Sequence, residues 1–373
     1  MTAADALATA YTHGPGRFVE VGEPPPFTAT PGHRVPLRDL AAQGPFGAAV
    51  AHLLTDVATP LRWEPWNQYN DHRGYPSARA AFTVDVELVA GPARLRLDPA
   101  RRALVGVAAP AVADEVRLDL VRRRDRLSPA YHEFGDVLTE LEVGHVAAAL
   151  VEHAARLGLR AHAEDLTVVV RSHRETGDPV PPLPPRGSGF GPRGISADPR
   201  PLPEAALHAF VRAVTSPPPG SPTRTDLRHR LAVRNVVGLA DGWYDLDLRP
   251  VAPGPALLQV REAFGHTPQT IDVAAMNLAL VTTGSAAEAV AADGPGGYHA
   301  LLRAAGAMAQ HACDAAARSG MFCRPARSIH DRVLEAAVRA PASHQVLYLL
   351  AAGRPRGAGF TYDLTPLPAP ENP

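Results

Sequence analysis

The 373-residue chain contains no lysine, so all 37 of its Lys/Arg positions are arginine. That absence removes mechanisms: a pyridoxal Schiff base, a P-loop phosphate lysine and a lysine nucleophile all need an amine. Cysteine is almost as scarce. Cys313 and Cys323 are too few for a disulfide framework and suit a reducing compartment. No apolar run reaches the roughly 18 residues of a membrane span, and Met1 to Asp5 carry no cationic leader region, so the chain reads as cytoplasmic without membrane contact. A net charge of -1 supplies no field to attract nucleic acid. Aromatics make up only 6%, yet Trp63, Trp66, Tyr69 and Tyr75 crowd one segment with Asn67, Asn70 and His72. Such a segment is either a small satellite core or the wall of a ligand pocket.

What is present is arranged twice. Phe82, Val84, Val86 and Leu88 alternate with Thr83, Asp85 and Glu87, the pattern of a half-buried strand. Gly91-Pro92 turns it into a second strand-like piece ending near Leu104. The stretch from Leu231 to Pro250 repeats the plan around Gly238 to Gly242. Long helices follow in both halves, predicted over 138–161 and 301–324, with Gly144 and Gly306 at matching places inside. Ala305, Ala309, Ala312 and Ala316 recur at helical spacing, which lets another helix approach closely. Apolar strands come next, Leu166 to Val170 and Val346 to Leu350. The order hairpin, helix, strand therefore occurs twice, which predicts an internal duplication. A Pro/Gly-rich stretch separates the copies, and the boundary is expected near Pro179, giving units 1–178 and 179–373.

His311, Cys313 and Cys323 are metal-ligand types, but residues two apart on a helix diverge by about 200°, so no metal site is expected. Asp293-Gly294-Pro295-Gly296-Gly297 lacks a following Lys-Ser or Lys-Thr and reads as a loop.

The residues then resemble a family, the nitroreductase-like flavoproteins, in the branch of streptolysin-S-type azoline dehydrogenases acting on ribosomal peptides. The resemblance rests on Tyr75-Pro76-Ser77-Ala78-Arg79 before a strand, on Glu142-Val143-Gly144-His145 with Ala154-Ala155-Arg156-Leu157-Gly158-Leu159 on the long helix, and on Arg186-Gly187-Ser188 trailed by Pro201-Leu202-Pro203. It implies an α+β fold of two nitroreductase-like units forming an intramolecular pseudo-dimer, with the chain itself monomeric. It also implies FMN, one site per chain. The phosphate grip would come from the second unit, through Arg186, Ser188, Arg324, Pro325, Arg327, Ser328, Arg354 and Arg356. Pro76, Ser77 and Arg79 of the first unit would complete it. Arginine suits this role because its planar fork binds a phosphate bidentately and keeps its charge.

The family's lysine-tyrosine pair falls on Ala130 and Tyr131 in the first unit and on Ala292 and Asp293 in the second. Tyr131 is the implied catalytic residue, and the lysine is missing from both units. An unperturbed phenol with a pKa of about 10 needs a neighbour to act as base, and His132 and His72 are the candidates. The implied reaction is oxidation of azoline rings to thiazoles or oxazoles in a peptide substrate, alongside other peptide-modifying enzymes, with oxygen able to reoxidise the flavin. Two other readings stay open: a flavin-dependent nitro or dehydroamino-acid reductase, and a flavin-free pseudoenzyme that scaffolds a modification complex.

Overall fold

The computed structural model describes residues 1–11, 32–64, 69, 71–108, 110–173, 183–189, 194–357 and 361–365. The boundary expected at Pro179 lies outside the described residues, as do Trp66, Asn67 and Asn70 of the aromatic segment. The first part of the chain carries α1 (Ala3–Ala10), β1 (His33–Pro36), α2 (Leu37–Ala41), α3 (Pro45–Ala58), β2 (Arg62–Trp63), β3 (Val84–Ala90), β4 (Ala93–Asp98), β5 (Ala103–Gly106) and β6 (Glu115–Arg122). The long helix α4 (Phe134–Arg156), β7 (Leu159–Glu164) and β8 (Thr167–Ser172) follow. The second part carries α5 (Glu204–Thr215), β9 (Arg228–Val233), β10 (Gly242–Tyr244), β11 (Pro250–Pro253), α6 (Ala256–Ala263), β12 (Leu278–Gly284) and α7 (Ala286–Asp293). It ends with α8 (Gly297–Arg318), β13 (Phe322–Ala326), α9 (Asp331–Ala337), β14 (Gln345–Gly353) and β15 (Tyr362–Asp363).

The described strands form two large antiparallel sheets, ordered β1-β5-β4-β3-β6-β8-β7 and β11-β10-β9-β12-β14-β13, and a two-stranded sheet of β15 and β2. Apart from the extra edge strand β1, the two orders correspond strand for strand. In the first sheet the alternation of β3 and β6 buries Val84, Val86, Leu88, Val116, Leu118 and Leu120 against α3 and α4. Its other side carries arginine–carboxylate pairs, with Arg96, Arg123 and Arg126 all on Asp85. In the second sheet β12 and β14 are buried along their whole length, because α5 and α8 cover one face while α6 and α9 cover the other. Continuous apolar runs are what sheets covered on both faces require.

Both helices end earlier than their composition suggests. Gly158 and Gly320 have φ of +68° and +67°, a left-handed conformation that glycine adopts at little cost, and each chain turns there into β7 or β13. The segment ending near Leu104 is likewise two strands, β4 and β5, separated by a turn from Pro99 to Arg102.

α4 and α8 cross at their glycines. A Cβ on Gly144 would stand 2.0 Å from the Arg303 carbonyl oxygen, and one on Gly306 would stand 2.0 Å from that of Leu141. The contacts are reciprocal, since Gly144 and Leu141 are three residues apart, as are Gly306 and Arg303. α1 and β15 each cross to the opposite unit. α1 places Ala6 and Ala10 in the core of α5, α7 and α8, and Tyr11 donates its hydroxyl to Glu335 at 2.7 Å. β15 pairs with β2, stacking Tyr362 on Trp63 at a 5.5 Å centroid distance.

Gly144→Ala and Gly306→Ala are each expected to destabilise the protein by about 3 kcal/mol or more, because the clash is with backbone and cannot rotate away. Chemical denaturation measures it. Gly296→Ala is the control, with open space around its Cβ position and an ordinary φ of -87°, and should be near neutral.

Candidate functional site

Beside the glycine crossing, the helices hold a buried polar chain. Burial lowers the pKa of His145 to about 3, so the ring is neutral. Its Nδ1 lies 3.1 Å from Gln310 Oε1 and its Nε2 lies 3.0 Å from the Tyr348 hydroxyl. An amide oxygen only accepts, so Nδ1 carries the proton and Nε2 accepts from Tyr348. Gln310 Nε2 in turn donates to the Gly74 carbonyl and to the Asp314 carboxyl, each at 3.0 Å. A residue of α8 thereby fixes the Gly74-Tyr75-Pro76-Ser77 segment of the first unit. Burial, reinforced by the charge of Glu152, raises Asp314 to about 8.

Ser77 accepts a hydrogen bond from the Phe82 backbone N–H at 2.8 Å and donates to Glu142 Oε2 at 2.5 Å. Glu142 is buried, which raises it to about 7. Around it Tyr75 Oη, Thr83 Oγ1 and Glu142 Oε1 are buried polar atoms without a hydrogen-bond partner among the described residues. The backbone is strained at the same place: Arg79, Ala80 and Phe82 have φ of +51°, +53° and +46°. Non-glycine residues in this region cost of order 1 kcal/mol each, and such strain concentrates at functional segments.

Arg186 and Ser188 meet this segment from the other unit. The Cys323 N–H donates to the Gly187 carbonyl at 2.8 Å, docking the Arg186–Ser188 stretch on β13. Arg186 is buried. Its Nη2 donates to the Tyr75 carbonyl at 2.6 Å, its Nη1 to Ser188 Oγ at 3.2 Å, and its Nε has no partner among the described residues. Arg324 donates to the Ser188 carbonyl at 3.4 Å. Neither guanidinium has a carboxylate at ion-pairing distance among the described residues, and burial lowers the pKa of both. Arg79 faces the Tyr131 hydroxyl, and Tyr69 lies within electrostatic reach of both Tyr131 and Arg324. Burial lowers His266, and Arg324 and Arg79 lower it further.

The structure thus gathers Ser77, Arg79, Tyr131, Arg186, Ser188 and Arg324, and buries Pro76 with them. The other predicted residues are engaged elsewhere. Arg327 forms a buried ion pair with Asp331 at 2.6 Å and lies over the Phe134 ring. Arg354 donates to the Pro201 carbonyl at 3.1 Å, and Arg356 to Ser196 Oγ at 3.2 Å. Pro325 is a strand residue opposite Leu350, and the Ser328 carbonyl accepts from Gly265 N–H. Gln310, Tyr348 and His266 were not anticipated. Each comes from a distant part of the chain with no motif of its own.

Tyr131 lines a pocket of about 400 Å³ with Arg124, Leu127, Ser128, Pro129 and His132. Burial raises the pKa of its hydroxyl, so Tyr131 is a phenol at neutral pH. His72, pushed down to about 4 by burial and by Arg62, is neutral there.

No family model matches the chain, and no curated protein matches it. Among solved structures it is similar to a candidate nitroreductase from Anabaena variabilis, at 14% identity and a TM-score of 0.71 over 90% of this chain and 96% of that one. Shorter likenesses include the microcin synthetase complex of E. coli with truncated pro-MccB17 bound, at 20% identity and a TM-score of 0.37 over 42% of this chain and 66% of that one. An FMN-dependent nitroreductase from Clostridium difficile is 10% identical, with a TM-score of 0.33 over 49% of this chain and 90% of that one. The full-length likeness shows the fold, an α+β chain of two nitroreductase-like units paired as an intramolecular pseudo-dimer. No described helix is long and apolar enough to cross a membrane.

The raised Asp314 has a consequence for stability. Folded, it keeps its proton up to a pH of about 8; unfolded, it releases it near 3.8. The folded state therefore binds the extra proton between these values, and stability falls as pH rises through that window. Asp314→Asn keeps an acceptor for Gln310 and carries no charge. It is expected to flatten this fall and to melt above the parent at pH 9, as thermal unfolding across pH 4 to 9 will measure.

Proposed function

We propose that the chain is a flavin-binding oxidoreductase with one FMN site, held between its units. The observation that carries the reading is the pair Arg186 and Arg324, a buried and a half-buried guanidinium that share Ser188 and have no carboxylate at ion-pairing distance among the described residues. Burying an uncompensated cation costs several kcal/mol, so the arrangement suits a bound anion. A flavin phosphate is a dianion of fitting chemistry, and the unpartnered Arg186 Nε is a donor for it. Arg186, Ser188 and Arg324 would hold the phosphate, with Pro76, Ser77 and Arg79 approaching from the first unit. Arg327, Arg354 and Arg356 support the surrounding strands instead. When bound, the flavin supplies the hydride chemistry.

The chain's own residues do the rest. Gln310 and Arg186 fix the Gly74 and Tyr75 carbonyls, and so position Ser77. Tyr131 meets substrate from its pocket, and Arg79 orients its hydroxyl. On the sequence resemblance the substrate is a peptide azoline, oxidised to a thiazole or oxazole together with partner enzymes in the cytoplasm, and the two units arose by duplication with their boundary near Pro179. A second reading is favoured by the protonation state of Tyr131: a phenol gives a proton to a substrate being reduced, whereas azoline oxidation requires a base.

The parent is expected to bind one FMN per chain, seen as a flavin absorbance band and as quenching of FMN fluorescence. Arg324→Gln should weaken binding by about 1.5–3 kcal/mol, the worth of a charged hydrogen bond. A colourless protein that leaves FMN fluorescence unchanged would overturn the flavin reading. With flavin bound, a product lighter by about two mass units means ring oxidation and a heavier one means reduction.

A further inference from the structure

Away from the flavin residues, three side chains from three elements form a relay. Ser221 lies on the loop between α5 and β9, half-buried. His311 of α8 is buried beneath it, with Nε2 at 3.1 Å from Ser221 Oγ, and its Nδ1 lies 3.1 Å from Glu152 Oε2 of α4. The second oxygen of Glu152 accepts from Arg318 at 2.6 Å. We propose that Ser221, His311 and Glu152 form a second reactive centre, independent of any flavin, in which Ser221 is a nucleophile that accepts acyl groups from activated esters and thioesters.

The hydrogen-bond roles follow from the groups themselves. An ionised carboxylate only accepts, so Nδ1 of His311 carries its proton and Nε2 is free to receive that of Ser221. Burial pushes Glu152 up, but hydrogen bonds from His311 and Arg318 more than offset it and bring the group to about 2, so Glu152 stays ionised. The loop is fixed in place. Three prolines precede Gly220, whose carbonyl accepts from Ala163 N–H at 2.8 Å. Gly220 has φ of +87°, and a Cβ there would stand 2.6 Å from the Ala161 carbonyl oxygen.

The backbone also sets the substrate class. Ser221 N–H is spent on the Pro218 carbonyl at 3.3 Å, and Pro222 has no N–H, so the peptide groups beside the nucleophile offer no oxyanion donors. Acyl groups with good leaving groups need that stabilisation least. In the step, Ser221 Oγ bonds the acyl carbon as Nε2 takes its proton. The C–O or C–S bond to the leaving group breaks, and the proton departs with it as an alcohol or thiol. Water then repeats the transfer and releases the carboxylic acid.

The test uses the full chain with p-nitrophenyl acetate and a fluorophosphonate probe. A single phosphonate adduct on Ser221 is expected by peptide mass mapping, with ester hydrolysis about 100-fold faster than in Ser221→Ala, the usual worth of general-base assistance. Glu152→Gln should retain the serine yet lose most of the rate. Ser221→Ala should match the parent in melting temperature and FMN binding, so its loss is not misfolding and the flavin reading is judged separately. An unlabelled Ser221, or equal rates in parent and Ser221→Ala, would overturn the proposal.

Discussion

The close crossing of α4 and α8 is the constraint on which the rest of the molecule depends. Two helix backbones can approach this far only where neither has a side chain, and Gly144 and Gly306 supply those places reciprocally. With the axes so close, the flanking residues of each helix reach into the other unit. His145 meets Gln310, Glu152 meets His311, and Arg303 meets Glu140 at 2.8 Å. These polar groups are inside the protein, where each must find a partner. Several of those partners lie in the opposite half, so the two sheets are coupled through hydrogen bonds as well as apolar contact.

Equal scaffolds carry unequal chemistry. The sheets share a strand order and the helices share a crossing point, but Arg186 and Arg324 meet at Ser188 of the second unit, and Tyr131 of the first faces Arg79. Ser77 of the first unit hydrogen-bonds Glu142, while Ser221 of the second hydrogen-bonds His311. A separate pair of subunits would have to carry identical residues at both positions. Joining the units in one chain removes that requirement, so each half is free to specialise. The crossing of α1 and β15 to opposite units helps hold the pair together.

Much of the scaffold was legible because it is periodic. The alternation around Val84 and Val86 records which face packs on the helices, and the small residues around Ala309 record a close helix contact, although α8 is buried on every side from Ala304 to Ala317. Helix ends were less legible, since no proline follows Arg156 or Arg318 at once and the stop is a left-handed glycine two residues on, Gly158 or Gly320. The crossing of α1 carries no local signal: Ala6 and Ala10 would suit either core. Of the expected site residues, Arg186 and Ser188 were named from a motif and Arg324 from the loop after the second long helix, and the structure brings these three together; Arg79 was named from the proline-serine segment and Tyr131 by its distance from Gly144. Gln310 and Glu142 were not assigned, because a buried amide or carboxyl declares itself only by what it touches. The Ser221 relay is further from view. Its members stand 90 and 159 residues apart, and no spacing rule connects them.

The missing lysine has a structural meaning at the interface. A buried ammonium can shed its proton and become neutral, which relieves the cost of burial. A guanidinium has no such escape in the accessible pH range. A chain that uses only arginine must therefore compensate every buried cation with an anion or with enough acceptors. Arg73 does so with Asp71 and Arg327 with Asp331, each at 2.6 Å. Arg186 and Arg324 do so with backbone carbonyls and one hydroxyl, none of which carries a full charge. The difference sets Arg186, with the half-buried Arg324 beside it, apart from the buried Arg73 and Arg327, at the place where the two units meet.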